Sequence, residues 1–226
     1  MKRFYKTASV GEGNAVLLDG KPVRTPGRAP LAPPSADLAG AIADEWEAQE
    51  EVIDPRSMPL TGLANAAIDR ITPAMESFAH GLAVFGESDL LCYRAEGPAP
   101  LVARQAELWD PIRAWAQDRY GIAFEVTSGI THKPQPPETI QRLAAAVATR
   151  DPFELAGLSP LVTVSGSLVI ALALAEGAIS LNAAWAAAAL DEQWQLEQWG
   201  EDEEAARALA GRRADFAAAS RFLSLL

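Results

Sequence analysis

Few side chains in this sequence are of the types that covalent chemistry needs. There is one cysteine, Cys92, and there are two histidines, His80 and His132, so only those imidazoles could act as general base to a serine or cysteine nucleophile. Neither stands in a nucleophile motif. Ser165-Gly166-Ser167 lacks the Gly-x-Ser-x-Gly elbow, and glycine with serine inside an apolar helix reads as a close-packing point between helices. Cys92 reads as a small buried hydrophobe. Two histidines and one cysteine fall short of the four ligands of a structural zinc cage, so only carboxylates remain as metal ligands.

Nucleotide chemistry is equally poorly equipped. Gly11-x-Gly13 has Val16 where the third glycine of a dinucleotide fingerprint should stand, and no helical pattern follows, so it reads as a hairpin turn. No Gly-x4-Gly-Lys-Ser/Thr phosphate loop occurs, since every lysine lies before position 22 except Lys133. Glu50-Glu51 and Asp191-Glu192 are sequence neighbours, which on a helix diverge by about 100° and do not form a glycosidase-like pair. Glu201-Asp202-Glu203-Glu204 follows Gly200, where acids suit a helix N-terminus. No catalytic residue, metal or cofactor is expected.

The chain that must position these residues has 226 of them, enough for one large domain or two small ones. Hydrophobic residues make up 49% and charged residues 22%, the composition of an ordinary globular protein. With 19 basic against 30 acidic residues the net charge is −11, which opposes binding to a nucleic-acid backbone. A lone cysteine fits a reducing compartment. Met1-Lys2-Arg3 runs into Phe4-Tyr5-Lys6-Thr7 with no apolar signal region. The most apolar stretch, Leu161 to Ala175, falls short of the roughly 20 residues a membrane span needs and reads as a buried helix.

Charge is segregated along the chain. Residues 1–34 carry Lys2, Arg3, Lys6, Lys21, Arg24 and Arg28 against Glu12 and Asp19, whereas 191–204 carry seven acids and no base. Between Phe4 and Val23 short β-prone runs alternate with turn signals, among them Asp19-Gly20, which predicts an antiparallel meander. Five prolines between Pro22 and Pro34 then stop strand pairing. Ser35 is placed to cap a helix in which Leu38, Ile42 and Trp46 recur every four residues. Further helices are predicted over Thr61–Ile71, Pro73–Phe85 and Pro100–Tyr120, the last kinked or interrupted at Pro111. Leu90–Tyr93 is compatible with strand or helix, and Ile122–Val126 is expected to return to a sheet. Ser128–Pro137 reads as a linker. Everything from Glu138 onward reads helical, with starts at Asp151-Pro152, Ser159-Pro160, Ser180 and Glu201. The expected fold is α+β: a small N-terminal antiparallel β-containing domain with one helix over 1–60, then a larger helical domain over 61–226.

The segment after Ser180 carries the most unusual pattern. At about 100° per residue, Leu181, Trp185, Ala188, Glu192, Gln195 and Trp199 share one stripe, while Ala183, Ala187, Leu190 and Trp194 cover the opposite side. Such a helix is buried on both sides, or buried on one and offered to a partner on the other. A carboxylate within that stripe needs a partner, since an unpaired buried charge is costly.

Taken together, several segments resemble the family of assembly chaperones for the α subunit of the F-type ATP synthase. They are Leu18-Asp19-Gly20-Lys21-Pro22-Val23 with Thr25-Pro26, Glu45-Trp46-x-x-Gln49, Met58-Pro59-Leu60-Thr61, Asn65 with Asp69-Arg70, and Asp89 with Cys92-Tyr93-Arg94. Later come Gln105, Trp109-Asp110-Pro111, Trp115, Gly166-Ser167 and Glu192-x-x-Gln195-x-x-x-Trp199-Gly200. The resemblance implies a monomeric, non-enzymatic chaperone. It would bind the unassembled α subunit and shield the surface that later meets the β subunit, which would then displace it. It also implies partner-binding roles for Trp46, Glu192, Gln195, Trp199 and Gly200, to which Glu203 is added from the adjacent acidic turn. Trp46 shares the apolar side of its helix with Leu38 and Ile42, so a structural role is expected to come first. Nucleic acid and membrane insertion are not expected, and the location implied is a bacterial cytoplasm, or the mitochondrial matrix for eukaryotic relatives. The alternatives are an enzyme of unassigned reaction, such as a carboxylate-metal hydrolase, or a passive adaptor.

Overall fold

Asp19 and Gly20 reverse the chain with φ of 48° and 76°, the left-handed pair that a tight hairpin needs. On either side lie β2 (Val16–Leu18) and β3 (Lys21–Pro22), and β1 (Ala8–Val10) pairs with the other edge of β2 in the register Ala8↔Leu18 to Val10↔Val16. The three strands form an antiparallel sheet in the order β1-β2-β3. Gly11-x-Gly13 is the turn between the first two, with Gly13 at φ 64°, as its hairpin reading requires. These positions belong to a computed structural model that describes residues 1–200 and 203–226.

Two compact units divide the chain. The first comprises Met1–Met75, Asp151–Gly157 and Arg221–Leu226, and the second Glu76–Arg150 and Leu158–Ser220. In the first, Ser35 accepts a hydrogen bond from Leu38 N at 3.0 Å and starts α1 (Ala36–Glu47), which buries Leu38, Ala39, Ile42 and Ala43. Tyr5, Leu18, Ile53 and Met58 form a core cluster against which Val23 and Trp46 pack. Pro59 opens α2 (Pro59–Ala66), and one tighter and one wider turn lead into α3 (Met75–Ala83).

The second unit is helical apart from a two-residue parallel pairing of β4 (Tyr93–Arg94) with β5 (Thr127–Ser128). Its long helix α4 (Ala99–Tyr120) runs unbroken through Pro111. Pro111 and Glu107, the residue whose carbonyl the proline leaves unpaired, both lie on the exposed side, where water can take that carbonyl. Ile122–Val126 does not form the expected strand: the β pairing begins only at Thr127, while Gln135 holds this stretch by accepting from Glu125 N and donating to Glu125 O. After α5 (Pro137–Ala148), α6 (Pro152–Ser165) passes through Pro160 rather than restarting there.

Two further expectations are corrected where the chain is most apolar. Gly166 is not a packing point inside a helix. It adopts φ 68° and ends α6, and Ser167 then caps α7 (Leu168–Ala175) by accepting from Ile170 N at 3.0 Å. The predicted helix 181–199 is two, α8 (Leu181–Ala188) and α9 (Leu190–Trp199), meeting at Ala189. At that junction the Ala187 carbonyl accepts from Trp109 Nε1 at 2.9 Å, tying the end of α8 to the fully buried indole of α4. Trp185 and Trp199 therefore do not lie on one continuous rod. The chain ends in α10 (Glu203–Ser224). The expected architecture, a small N-terminal antiparallel sheet followed by a mainly helical remainder, is the one observed.

Candidate functional site

Most residues of the sequence motifs are consumed by the fold. Glu45 accepts from Leu60 N, Thr61 N and Thr61 Oγ1, each at 2.8 Å, so its carboxylate caps the first turn of α2. Gln49 accepts from Asp54 N at 2.8 Å and donates to Ser57 Oγ at 2.9 Å. Asp69 accepts from Thr25 Oγ1 at 2.6 Å and Gly27 N at 2.7 Å. In the second unit, Gln105 accepts from Ala95 N and donates to Asp191 at 2.8 Å. Asp89, fully buried, accepts from Ser167 Oγ at 2.7 Å and Val169 N at 3.0 Å. These side chains pin loops to helices, which leaves them no freedom to engage a partner.

The end of α9 is different. Glu192, Gln195, Leu196 and Trp199 follow the i, i+3, i+4, i+7 spacing of one helix face. Ala205, Ala208, Leu209 and Arg212 of α10 repeat that spacing, and the two stripes together line a groove of about 370 Å³. The floor is apolar, with Leu196 and Leu209 half-buried. Trp199 stands at the rim with 80% of its surface exposed, the most exposed aromatic ring among the described residues. Gly200 ends α9 at φ 87°, a conformation that resists any side chain. The other side of α9 is anchored to α4: Asp191 takes the Gln105 amide, and Glu197 accepts from Arg104 Nη1 through both oxygens at 2.9 and 2.7 Å.

Glu192 meets Arg212 in a bidentate pair, Nη1 to Oε1 at 2.6 Å and Nη2 to Oε2 at 2.8 Å. The stripe's carboxylate thus has the partner its position required. A second cavity of about 560 Å³ reaches to Leu90, Trp109, Thr163 and Gly166, and Glu192 and Arg212 line both spaces.

The structure therefore gathers Glu192, Gln195, Trp199 and Gly200 at one groove. Glu203 opens α10 with its side chain fully in solvent, 3.7 Å from Arg207, and is not among the groove's lining residues. Glu201 and Asp202 of the same acidic run lie outside the described residues. Trp46 belongs to the first unit, where its ring meets Tyr5 edge-on at 5.7 Å and its carbonyl accepts from Tyr5 Oη at 2.6 Å. Its Nε1 is buried without a partner. Trp46→Ala should lower stability by about 2 to 4 kcal/mol, whereas Trp46→Phe, which removes the unsatisfied N–H, should cost less than about 1.5 kcal/mol. Urea unfolding of both proteins checks this, and equal losses would contradict it.

Sequence reasoning missed the α10 side of the groove. The signal was present as the 205/208/209/212 repeat, but it is built of alanines and one arginine and is inconspicuous in a helix rich in both. The nucleophile candidates gain nothing from the structure: Cys92 is buried, and burial, with Asp89 beside it, pushes its thiol up to about 12. His132 contacts Tyr93 Oη and Glu87, neither of which is a nucleophile arrangement. Among the described residues, no three His, Cys, Asp or Glu side chains converge as a metal site would need, and no helix is long and apolar enough to cross a membrane.

Comparison with known proteins shows what the chain is similar to. A family model described as "ATP12 chaperone protein" matches residues 2–117. The mitochondrial protein atp12 of Schizosaccharomyces pombe is 27% identical over 220 residues, covering 90% of this chain and 75% of the relative. The crystal structure of Atp12 from Paracoccus denitrificans superposes with a TM-score of 0.93 at 44% identity, covering 99% of this chain and 97% of that one. A protein of Agrobacterium tumefaciens described as a candidate chaperone gives the same TM-score and identity, over 99% of this chain and 85% of that one.

Proposed function

We propose, for a chain that belongs to the ATP12 chaperone protein family, that it binds the unassembled α subunit of the F-type ATP synthase through the α9–α10 groove, without catalysing a reaction. The family's role in ATP synthase assembly is the premise; the choice of subunit and of surface is our reading. One observation carries it: Trp199, 80% exposed, stands at the mouth of an apolar groove that Glu192, Gln195 and Gly200 of the same motif line together with α10. Exposed aromatic anchors beside apolar pockets are the usual centres of binding energy in protein interfaces. Among the described residues, Gln195 and Trp199 make no side-chain hydrogen bond that would explain their presence in the motif, in contrast to Glu45, Asp69 and Asp89.

The physical logic of such a chaperone is mass action. A lone subunit of a large oligomer exposes apolar surface that its neighbour will later cover, and a binder that occupies this surface holds the subunit out of aggregates. Release follows when the β subunit, binding the same surface more tightly, takes its place. The groove suits a reversible contact: it is small, its floor is apolar, and its rim is charged.

Affinity capture of the tagged protein from a lysate of cells that make ATP synthase tests this reading. Free α subunit is expected in the eluate without the assembled enzyme. Recovery of the intact enzyme in equal yield would indicate an adaptor, and recovery of no ATP synthase subunit would overturn the proposal.

A further inference from the structure

The ion pair that lines both cavities is made of exchangeable parts. Arg212 and Glu192 are each about two-fifths exposed, 40% and 43% of the side chain, so water and an incoming side chain can reach both. An ion pair at that exposure contributes only about 0 to 1 kcal/mol, little enough for a competitor to replace it. The surroundings favour a cationic competitor. Residues 191–204 carry seven acids and no base, and of these Glu197 and Glu203 are paired with Arg104 and Arg207, which leaves an acidic excess on this part of the chain. The second cavity is lined in part by the fully buried Trp109 and the half-buried Leu90, Val164 and Gly166, a surface able to take an apolar side chain.

We propose that the Glu192–Arg212 pair is a latch that opens when a basic side chain of the partner replaces Arg212 on Glu192, joining the two cavities into one trough that receives an apolar side chain of the same amphipathic segment. This rests on the reading of the α9–α10 groove as the partner-binding surface. It commits the partner to a basic amphipathic stretch of polypeptide, because the acids at the rim would repel an acidic one and the apolar floor would leave a purely polar one without burial.

The test uses the full chain and two fluorescently labelled synthetic amphipathic helices. Both carry leucine on one face; the other face is arginine in one and glutamate in the other. Binding is read by anisotropy for wild type, Arg212→Gln, Glu192→Gln and the double variant, with melting curves to confirm that each is folded. Wild type is expected to bind the arginine peptide and not the glutamate peptide. Arg212→Gln should bind the arginine peptide about threefold to tenfold more tightly, because the internal competitor is gone, and Glu192→Gln about tenfold more weakly. The double variant should bind the arginine peptide more tightly than Glu192→Gln, because the unpaired Arg212 guanidinium no longer repels it, and more weakly than Arg212→Gln, because the carboxylate is gone. Arg212→Gln binding no tighter than wild type, or equal binding of the two peptides, would overturn the latch. Running purified α subunit in parallel separates the two claims. Loss of α binding with the peptide pattern intact would sink the functional reading alone, and α binding with the peptide pattern absent would sink the latch alone.

Discussion

Glu192→Lys is expected to leave the protein folded and to weaken its binding to the α subunit by about 100-fold or more. Position 192 is on the surface of α9, its side chain 43% exposed, so folding loses only a surface ion pair, about 0 to 1 kcal/mol. Binding loses much more. The substituted ammonium meets the Arg212 guanidinium, so the ion pair becomes two positive charges that repel each other and any basic segment that approaches. Like charges brought together at an interface cost several kcal/mol, whereas removing the charge with Glu192→Gln costs only the attraction. The order wild type, Glu192→Gln, Glu192→Lys in decreasing affinity is therefore predicted, measured by titration calorimetry with α subunit kept soluble. A folded Glu192→Lys protein that binds as tightly as wild type would remove Glu192 from the site.

The second large effect is on stability. Asp89 is fully buried and joins two elements: it accepts from Leu91 N at 3.1 Å in its own turn, and from Ser167 Oγ and Val169 N at the start of α7. Asp89→Asn must aim an amide N–H₂ at the donors on one of the two oxygens and leave those unpaired, at a cost of about 2 to 4 kcal/mol in urea unfolding at neutral pH. Its pH dependence has a definite sign. Burial raises the Asp89 carboxyl to about 6, against hydrogen bonds that pull the other way. The folded state thus holds the proton more tightly than the unfolded chain, whose carboxyl titrates near 3.9. The associated stabilisation is complete below about pH 4 and is lost as pH rises through about 6. The gap in unfolding free energy between wild type and Asp89→Asn should narrow over that window, and subtracting the two curves cancels every other titrating group. Parallel curves from pH 4 to 7 would contradict the assignment.

How far the sequence reveals this molecule depends on the range of the interaction concerned. Ser35 as a cap, Asp19-Gly20 as a hairpin and Pro100–Tyr120 as a helix are local: each is decided by backbone preferences within a few residues, and each stands in the structure. The break at Ala189 is not local. No glycine or proline marks it, and the hydrogen bond at the junction comes from Trp109, far off in sequence. Gly166-Ser167 is legible as special but not as a boundary, because the partner that makes Ser167 a cap worth burying is Asp89, which donates nothing to the local pattern. The groove was half visible. Spacing on α9 puts Glu192, Gln195 and Trp199 together, but which of the two apolar faces stays open is set by the contacts of α9 with Gln105 and Arg104 of α4. Arg212, which completes the ion pair, lies twenty residues beyond its partner and carries no motif.

The central claim, that this chain is a chaperone holding the free α subunit in solution, is tested most directly by light scattering. Purified α subunit diluted from denaturant into buffer, with and without an equimolar amount of this protein, is predicted to scatter strongly alone and to stay clear in its company, as a complex that yields the chaperone when β subunit is added. Scattering that rises unchanged in the presence of the protein would contradict that claim.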